Sequence, residues 1–268
     1  MKIVLYTAGL GNQIFQYFFT LWLQKKYPKE RIFGCYDKAI LANHNGLEIQ
    51  NVFDIELPPS NKLVYIIERL IRAVYKRTKC KWFSSHDDAD KDTLYYEGYW
   101  HDKRFFGDFV ANLKFREDIV MSDQNKYVLQ RINTSNSVSI HVRRGDYLKP
   151  EFEAKFAHSC PPEYYHKAIA YAMDQFANAN FFVFSDDIEW VRTNIHIPNA
   201  TYIDWNKGKD SFWDMLLMSE CKASIIANSS FSFWGAMLGN KKQFVIRPKK
   251  WIGDEVPSIF SGYWIEFG

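Results

Sequence analysis

At residues 138–147 the chain reads Val138-Ser139-Ile140-His141-Val142-Arg143-Arg144-Gly145-Asp146-Tyr147. The apolar residues up to Val142 predict a short buried strand, and Gly145 predicts a sharp turn after it. Arginine is well suited to holding phosphate oxygens, because its guanidinium group is a rigid and permanently charged fork. The stretch therefore predicts an anion site at the end of a buried strand. A surface turn with a solvated arginine–aspartate pair is the alternative.

Two later segments have the same arrangement. The apolar run at 181–184 is followed by Ser185-Asp186-Asp187, and the run at 223–227 is followed by Asn228-Ser229-Ser230 and a helical segment. In open parallel sheets, ligands bind beyond the carboxyl ends of the strands. Arginines and a helix amino terminus suit phosphates, and a carboxylate suits the N–H groups of a base. The three segments together predict one nucleotide pocket.

The chain begins with a similar unit. The pattern predicts a strand at 2–6, a glycine turn at 8–13 and an apolar helix at 14–27. The glycines fit neither a dinucleotide fingerprint nor a Walker loop. Gly11, Asn12 and Gln13 are predicted to form a cleft loop in which the two amides contact sugar hydroxyls. A tight turn with a purely structural role is the alternative.

These motifs resemble glycosyltransferase family 11, the bacterial α-1,2-fucosyltransferases that use GDP-fucose. The resemblance rests on 9–17 (Gly-Leu-Gly-Asn-Gln-Ile-Phe-Gln-Tyr), 98–100 (Gly-Tyr-Trp), 141–147, 164–165 (Tyr-Tyr), 184–187 and 228–236. It covers most of the chain in the family's order. Two residues depart from the pattern: Ala8 lies where glycine is common, and Phe18 lies where a small residue is usual.

The resemblance implies an α/β fold of the GT-B type, with two Rossmann-like domains facing across a cleft. We predict an acceptor-side domain at residues 1–135 and a GDP-sugar-binding domain at 136–250. The tail at 251–268 is predicted to pack back on the first domain.

The implied reaction is inverting transfer of L-fucose from GDP-β-L-fucose to the 2-hydroxyl of a terminal galactose, on an oligosaccharide or a lipid-linked glycan of surface polysaccharide biosynthesis. Arg143 is predicted to stabilise the leaving diphosphate, and Asp146 is the candidate general base nearest to it in sequence. A salt bridge that orients an arginine is the alternative role for Asp146. The predicted donor-binding residues are His141, Arg143, Arg144, Asp186, Asp187, Asn228, Ser229 and Ser230.

Some of these assignments have alternatives. His141 fits the core of a sheet as well as it fits a nucleotide site. A transferase for a different GDP-sugar would share the guanine and diphosphate contacts, and a non-catalytic nucleotide-sugar or glycan-binding protein is a third possibility. The combined presence of Arg143, Asp187 and Ser230 disfavours that third class, because a lectin has no need to bind a diphosphate.

Length, charge and cysteine content limit the other classes of protein to which the chain can belong. At 268 residues and a net charge of +3 the chain is predicted to be a cytoplasmic enzyme without a signal peptide or membrane anchor, and not a nucleic-acid-binding protein. The four cysteines (Cys35, Cys80, Cys160, Cys221) are scattered and predict reduced thiols, not a zinc site. The acidic stretch 87–92 is predicted to be a solvated loop, and the resemblance implies neither a metal nor another cofactor.

Charge is concentrated in one segment. Residues 62–83 carry seven basic residues against one acid, Glu68, for a net +6. Apolar residues recur at helical spacing, which predicts an amphipathic helix. We favour a helix that packs its apolar residues on the core; peripheral contact of Lys62–Lys81 with an anionic inner leaflet is the alternative.

Overall fold

The computed structural model describes residues 1–42, 44–78, 82–84, 88–107, 109–156, 159–240 and 242–268. The chain divides into two compact units, Met1–Arg116 and Glu117–Gly268. Each unit contains its own parallel sheet with helices, so the α/β fold class predicted from the sequence is confirmed. Four residues on which predictions rest, Lys79, Cys80, Lys81 and Asp87, lie outside the described residues.

The first unit is built on a four-stranded parallel sheet in the order β2-β1-β4-β3. Its strands are β1 (Lys2–Leu5), β2 (Ile32–Cys35), β3 (Phe83–Ser84) and β4 (Tyr95–Tyr96). Its helices are α1 (Leu10–Lys26), α2 (Lys38–Leu41), α3 (Ile49–Val52) and α4 (Lys62–Thr78). Aromatic side chains dominate the core: the ring of Trp100 stacks on that of Phe19 with centroids 3.9 Å apart.

The second unit is built on a six-stranded parallel sheet in the order β10-β9-β8-β5-β6-β7. Its strands are β5 (Asn136–Val142), β6 (Ala179–Ser185), β7 (Ala200–Ile203), β8 (Ala223–Ile225), β9 (Phe244–Pro248) and β10 (Ile265–Phe267). Its helices are α5 (Asp123–Thr134), α6 (Pro150–Phe156), α7 (Pro162–Gln175), α8 (Ile188–Asn194), α9 (Phe212–Glu220) and α10 (Ser230–Met237).

The middle of strand β6, residues 181–184, is a continuous apolar run because both faces of the sheet are covered. Phe181 and Val183 pack on one face with Tyr165 of α7. Phe182 and Phe184 pack on the other face, in the cluster that includes α5 and α9. The sheet is therefore a buried layer whose strand ends carry the polar residues.

The boundary between the units precedes α5, whereas the sequence pattern placed it at residue 135. Val128 and Ile132 of α5 pack with Leu217 of α9 in the second unit, a contact that sequence spacing does not reveal. The tail, predicted to pack back on the first domain, belongs to the second unit. Within it, strand β10 pairs in parallel with β9 and so adds an edge strand to the second sheet.

Helix α1 begins earlier than predicted. Gly9 is its N-cap, so Gly11, Asn12 and Gln13 form its first turn instead of a cleft loop. Ala8, the departure from the family pattern, has a φ of 61°. That left-handed conformation suits glycine, which explains why glycine is common at this position.

The described cysteines, Cys35, Cys160 and Cys221, are not in disulfides. No helix in the described part of the chain is long and apolar enough to span a bilayer. In the acidic stretch, Asp90 forms ion pairs with Lys26 and Arg104, and its pKa is lowered by hydrogen bonds from both.

Candidate active site

Three neighbouring strands of the second sheet end at the same edge. Val142 of β5 lies opposite Ser185 of β6, and Ile140 of β5 lies opposite Ile225 of β8. Because all three strands are parallel, the segments that follow them emerge side by side. The structure thus brings together the three polar segments that the sequence indicated.

Arg143 lies at the centre of this edge. Its guanidinium nitrogens are 2.9 Å from the Asp146 carboxylate and 3.0 Å from that of Asp186, and about a third of its side chain (32%) is exposed. Burial lowers the pKa of Arg143, but Asp186 and Asp146 raise it by more, so its pKa lies above the ordinary value. The group is a fixed cation with one side open to a ligand.

Asp186 fixes the turn after β5. Besides the ion pair with Arg143, its carboxylate accepts hydrogen bonds from the backbone N–H groups of Arg144 (2.9 Å) and Gly145 (3.0 Å). A Cβ atom on Gly145 would lie 2.8 Å from Oδ2 of Asp186. The carboxylate predicted to bind a donor nucleotide is thus occupied in holding the arginine turn.

Arg144 and Asp187 form a second pair beside the first. The Arg144 guanidinium lies 3.6 Å from the centroid of the Trp190 ring, and its Nε is 3.4 Å from Oδ2 of Asp187. The other carboxylate oxygen of Asp187 caps α8 by accepting from the backbone N–H of Trp190 (3.2 Å). About a third of the Asp187 side chain (36%) stays exposed.

The amino terminus of α10 lies at the end of β8. The hydroxyl of Ser229, the N-cap, accepts from the backbone N–H of Phe231 (3.3 Å), and Ser230 is half-buried at the first helical position. Helix amino termini favour anions, because their first N–H groups lack partners within the helix.

Asn228 has a different role from the predicted contact with phosphate or ribose. Its side chain is buried and its Nδ2 donates to the backbone carbonyls of Trp251 (2.9 Å) and Phe156 (3.3 Å). Its own backbone carbonyl accepts from the hydroxyl of Tyr147 (2.8 Å). The Asn228 side chain ties three segments together and is occupied by these hydrogen bonds, and the donor contact predicted for Ser229 and Ser230 stays a prediction.

His141 is buried in the sheet next to this edge. The hydroxyl of Tyr165 donates to its backbone carbonyl, and its ring centroid lies 6.0 Å from that of Phe231. Burial, together with the nearby charge of Arg143, lowers the pKa of His141 to about 3. The imidazole is therefore neutral at physiological pH, and its Nδ1 makes no hydrogen bond to the described residues.

The first turn of α1 lies in the first unit. The carboxamide of Gln13 bonds four backbone groups: it donates to Ala8 (2.9 Å) and Gly46 (2.8 Å), and it accepts from Glu48 (2.9 Å) and Ile49 (3.2 Å). Gln13 is buried and its carboxamide is occupied by these backbone groups, which gives it a structural role and makes it a poor candidate for the predicted contact with sugar hydroxyls.

Asn12 is placed differently. Its Oδ1 lies 3.0 Å from Nε2 of His101, a residue that sequence reasoning missed. His101 directly follows the Gly98-Tyr99-Trp100 motif, which was the available signal, and its ring packs against that of Phe15 with centroids 4.5 Å apart. The acceptor contact predicted for Asn12 stays a prediction, and His101 is its hydrogen-bond partner in the structure.

In the described ranges, no three His, Cys, Asp or Glu side chains converge as a metal site would require. The predicted independence of metals stays a prediction.

Comparison with known proteins extends this description. The family model Glycosyl transferase family 11 matches residues 4–267. An alpha-1,2-colitosyltransferase of Escherichia coli is 30% identical over 269 residues, which cover 94% of this chain and 93% of the relative. A galactoside alpha-(1,2)-fucosyltransferase 1 of Saimiri boliviensis boliviensis is 28% identical over 130 residues, which cover 44% of this chain and 35% of the relative.

Among solved structures, POFUT1 in complex with GDP-fucose superimposes with a TM-score of 0.52 at 9% identity, covering 92% of this chain and 97% of that one. At this identity the likeness shows the fold alone. It confirms the GT-B-type fold class predicted from the sequence.

Proposed function

The chain belongs to glycosyl transferase family 11, and from that premise we propose that it transfers L-fucose from GDP-β-L-fucose to the 2-hydroxyl of a terminal galactose. The observation that carries the proposal is the pair of carboxylates that fix Arg143 at the open edge of the second sheet. The matching galactoside alpha-(1,2)-fucosyltransferase supports both fucose and galactose.

Arg143 supplies the main electrostatic stabilisation. Breaking the sugar–phosphate bond builds negative charge on the leaving GDP, and a positive group already aimed at that charge lowers the barrier. Arg143 keeps its charge at every accessible pH and is held on two sides, so little reorganisation is needed when the bond breaks. The N-terminal turn of α10 adds donors for the phosphates through Ser229 and Ser230.

The remaining residues of the edge position these groups or select the nucleotide. Asp187 is partly exposed and is proposed to accept from guanine N–H groups, beside Arg144 on its tryptophan. Asp146 and Asp186 orient Arg143, so we assign the salt-bridge role to Asp146 in preference to that of general base. His141 is neutral and buried beside this edge, and its Nδ1 lacks a hydrogen-bond partner among the described residues, so we assign it to the packing behind Arg143 rather than to a direct contact with the donor.

Metal independence is part of the proposal. Arg143, with Arg144 next to it in the same turn, supplies positive charge of the kind that a divalent ion supplies in other transferases. Activity is therefore expected to persist in EDTA. Loss of activity in EDTA and its return with magnesium would contradict this part.

The second candidate is transfer of a different GDP-linked sugar. The colitosyltransferase that matches nearly the whole chain favours it, because colitose is fucose without its 3-hydroxyl group. The guanine and diphosphate contacts would be common to both donors, so only the sugar pocket discriminates between them.

Calorimetric titration with GDP and with UDP, with EDTA present, tests the donor site without an acceptor. Binding of GDP and not of UDP is the expected result. Transfer from GDP-fucose, compared with transfer from GDP-colitose and GDP-mannose, then identifies the sugar on galactose-terminated acceptors. Failure to bind GDP would overturn the proposed site, whereas GDP binding with transfer only from another donor would replace fucose alone.

A further inference from the structure

Helix α4 of the first unit has an apolar face that the described residues of the protein leave exposed. Leu63, Ile66, Leu70 and Val74 are 57%, 55%, 61% and 37% exposed. Their spacing of three or four residues places them in one stripe along the helix. The expectation that the apolar residues of this helix all pack on the core is therefore wrong for this stripe.

A different face of the same helix holds it to the protein. Val64 and Ile71 are buried in the core cluster with β1, β2 and β4. The ring of Tyr75 also stacks on that of Phe83, with centroids 3.9 Å apart. Leu63, Ile66 and Leu70 are each more than half exposed and lie in one line, whereas an ordinary protein surface shows such residues scattered singly.

The charges of α4 are segregated as well. Lys62, Arg69 and Arg77 are exposed, whereas the helix's one acid, Glu68, is buried and forms an ion pair with Arg72 (3.1 Å). With 3.6 residues per turn, Lys62 and Arg69 lie along one flank of the apolar stripe. The exposed face of α4 therefore combines apolar side chains with cations and carries no carboxylate.

Beside this flank lies an open cavity of about 480 Å³, lined among others by Arg69, Arg72 and Arg77. Two carboxylates, Asp37 and Glu68, also line it, but Glu68 is neutralised by Arg72 and Asp37 caps α2 by accepting from the backbone N–H of Ala39 (2.8 Å). Arg72 is itself paired with Glu68 and Glu97, so Arg69 and Arg77 are the lining cations proposed to contact a phospholipid phosphate.

We propose that α4 docks this protein on an anionic phospholipid bilayer, with the stripe of Leu63, Ile66, Leu70 and Val74 inserted at the interface. Helices that lie in the plane of a membrane have this composition: an apolar face, flanking cations and low overall hydrophobicity. Charge selects the bilayer as the occupant, because a surface of anionic headgroups complements cations on the flank of an apolar stripe. The proposal holds whichever sugar the enzyme transfers.

Co-sedimentation of the full chain with vesicles tests the proposal. The protein is expected to bind vesicles of phosphatidylcholine with about 30% phosphatidylglycerol, more tightly at low salt, and to bind pure phosphatidylcholine weakly. The triple variant Leu63→Ser, Ile66→Ser, Leu70→Ser is expected to lose binding. The double variant Arg69→Ala, Arg77→Ala is expected to weaken it about 25-fold, from about fivefold per cation.

The matched control changes two exposed lysines that are not part of α4, Lys29→Ala and Lys209→Ala, and is expected to bind like the unmodified chain. GDP binding by every variant separates a failure of docking from a failure to fold or of the donor site. Absence of binding to anionic vesicles, or equal binding by the triple variant, would overturn the proposal. A dimer that the triple variant converts to monomer would also overturn it, because a second copy would then cover the stripe.

Discussion

Arg143 is held by two carboxylates on different segments, and this geometry requires the guanidinium fork. Replacement by lysine retains the charge but cannot bridge Asp146 and Asp186, so we expect kcat/KM for GDP-fucose to fall at least about 100-fold. Replacement by alanine is expected to cost about 1000-fold, the upper range for losing one group of this kind. Steady-state transfer assays measure both.

Arg192 provides the control for these variants. It belongs to the same unit, lies 3.9 Å from the centroid of the Tyr202 ring and is 3.8 Å from Glu189, so Arg192→Ala also removes a stacked and paired arginine. The transfer rate of Arg192→Ala is expected to stay within about twofold of that of the unmodified enzyme, since surface ion pairs contribute little to stability. If Arg143→Ala retained the same rate as Arg192→Ala, Arg143 would not stabilise the leaving group, and an unchanged rate in Arg143→Lys would show that its charge suffices without the guanidinium fork.

Asp214 on α9 makes stability depend on pH. Burial raises its pKa to about 8, against a lowering effect of the hydrogen bond from Asn206, whereas an unfolded aspartate titrates near 4. The folded state therefore holds a proton that the unfolded state has lost, so stability falls as pH rises towards 8. Between pH 6.5 and 7.5 we expect a loss of about 1 kcal/mol.

Between pH 6.5 and 7.5 the titration of Asp214 changes stability more than that of two other buried groups does. Burial lowers the pKa of His141 to about 3 and that of Lys242 to about 8, so they change stability mainly below pH 6.5 and above pH 8. Asp214→Asn keeps an oxygen that accepts from Asn206, and it is expected to remove the fall in stability between pH 6.5 and 7.5. Urea unfolding at pH 6.5 and 7.5 measures it, and an equal slope in both proteins would contradict the assignment.

At the scale of elements, the turn after β5 depends on the end of β6. Asp186 accepts from two backbone N–H groups of that turn and pairs with Arg143, so Asp186→Asn should loosen the turn without removing any arginine. We expect kcat to fall at least about tenfold with a smaller change in KM. Faster hydrogen exchange at the amides of Arg144 and Gly145 would identify positioning as the cause.

The sequence predicted those strands that can be recognised from a short run of neighbouring residues. Strands β1, β5, β6 and β8 were found because apolar runs end in polar residues, and the same rule located Arg143 and Ser229. The start of α1 was misplaced because Glu48, from far along the chain, accepts from the N–H of Leu10 and stabilises an earlier helical turn. No local pattern contains that partner.

Partners that lie far away in the sequence also explain why the side-chain amides of Asn228 and Gln13 were predicted to contact a ligand. Asn228 and Gln13 are polar residues next to glycine or serine turns, which is the pattern of ligand contacts. Their hydrogen bonds go instead to backbone groups of segments distant in sequence, such as Trp251 and Gly46. Sequence predicts which residues can bind a ligand, and the fold decides which of them are already occupied.

At the scale of the whole molecule, the proposed donor groups lie within the second unit. Addition of GDP is therefore expected to slow hydrogen exchange at residues 143–148, 185–190 and 228–233, and to leave β1 and α4 in the first unit unchanged. Exchange followed by mass spectrometry measures both units in one experiment. Protection confined to the first unit would place the nucleotide elsewhere.

The turn after β5 also depends on Asp186 at Gly145, a residue that carries no functional group. Its φ is −36°, which other residues tolerate, so backbone conformation does not require glycine there. What requires glycine is the carboxylate of Asp186, which lies 2.8 Å from the site of a Cβ atom. In a library of all single substitutions selected for transfer, position 145 should therefore reject even alanine, and it should do so in clones that still express and fold.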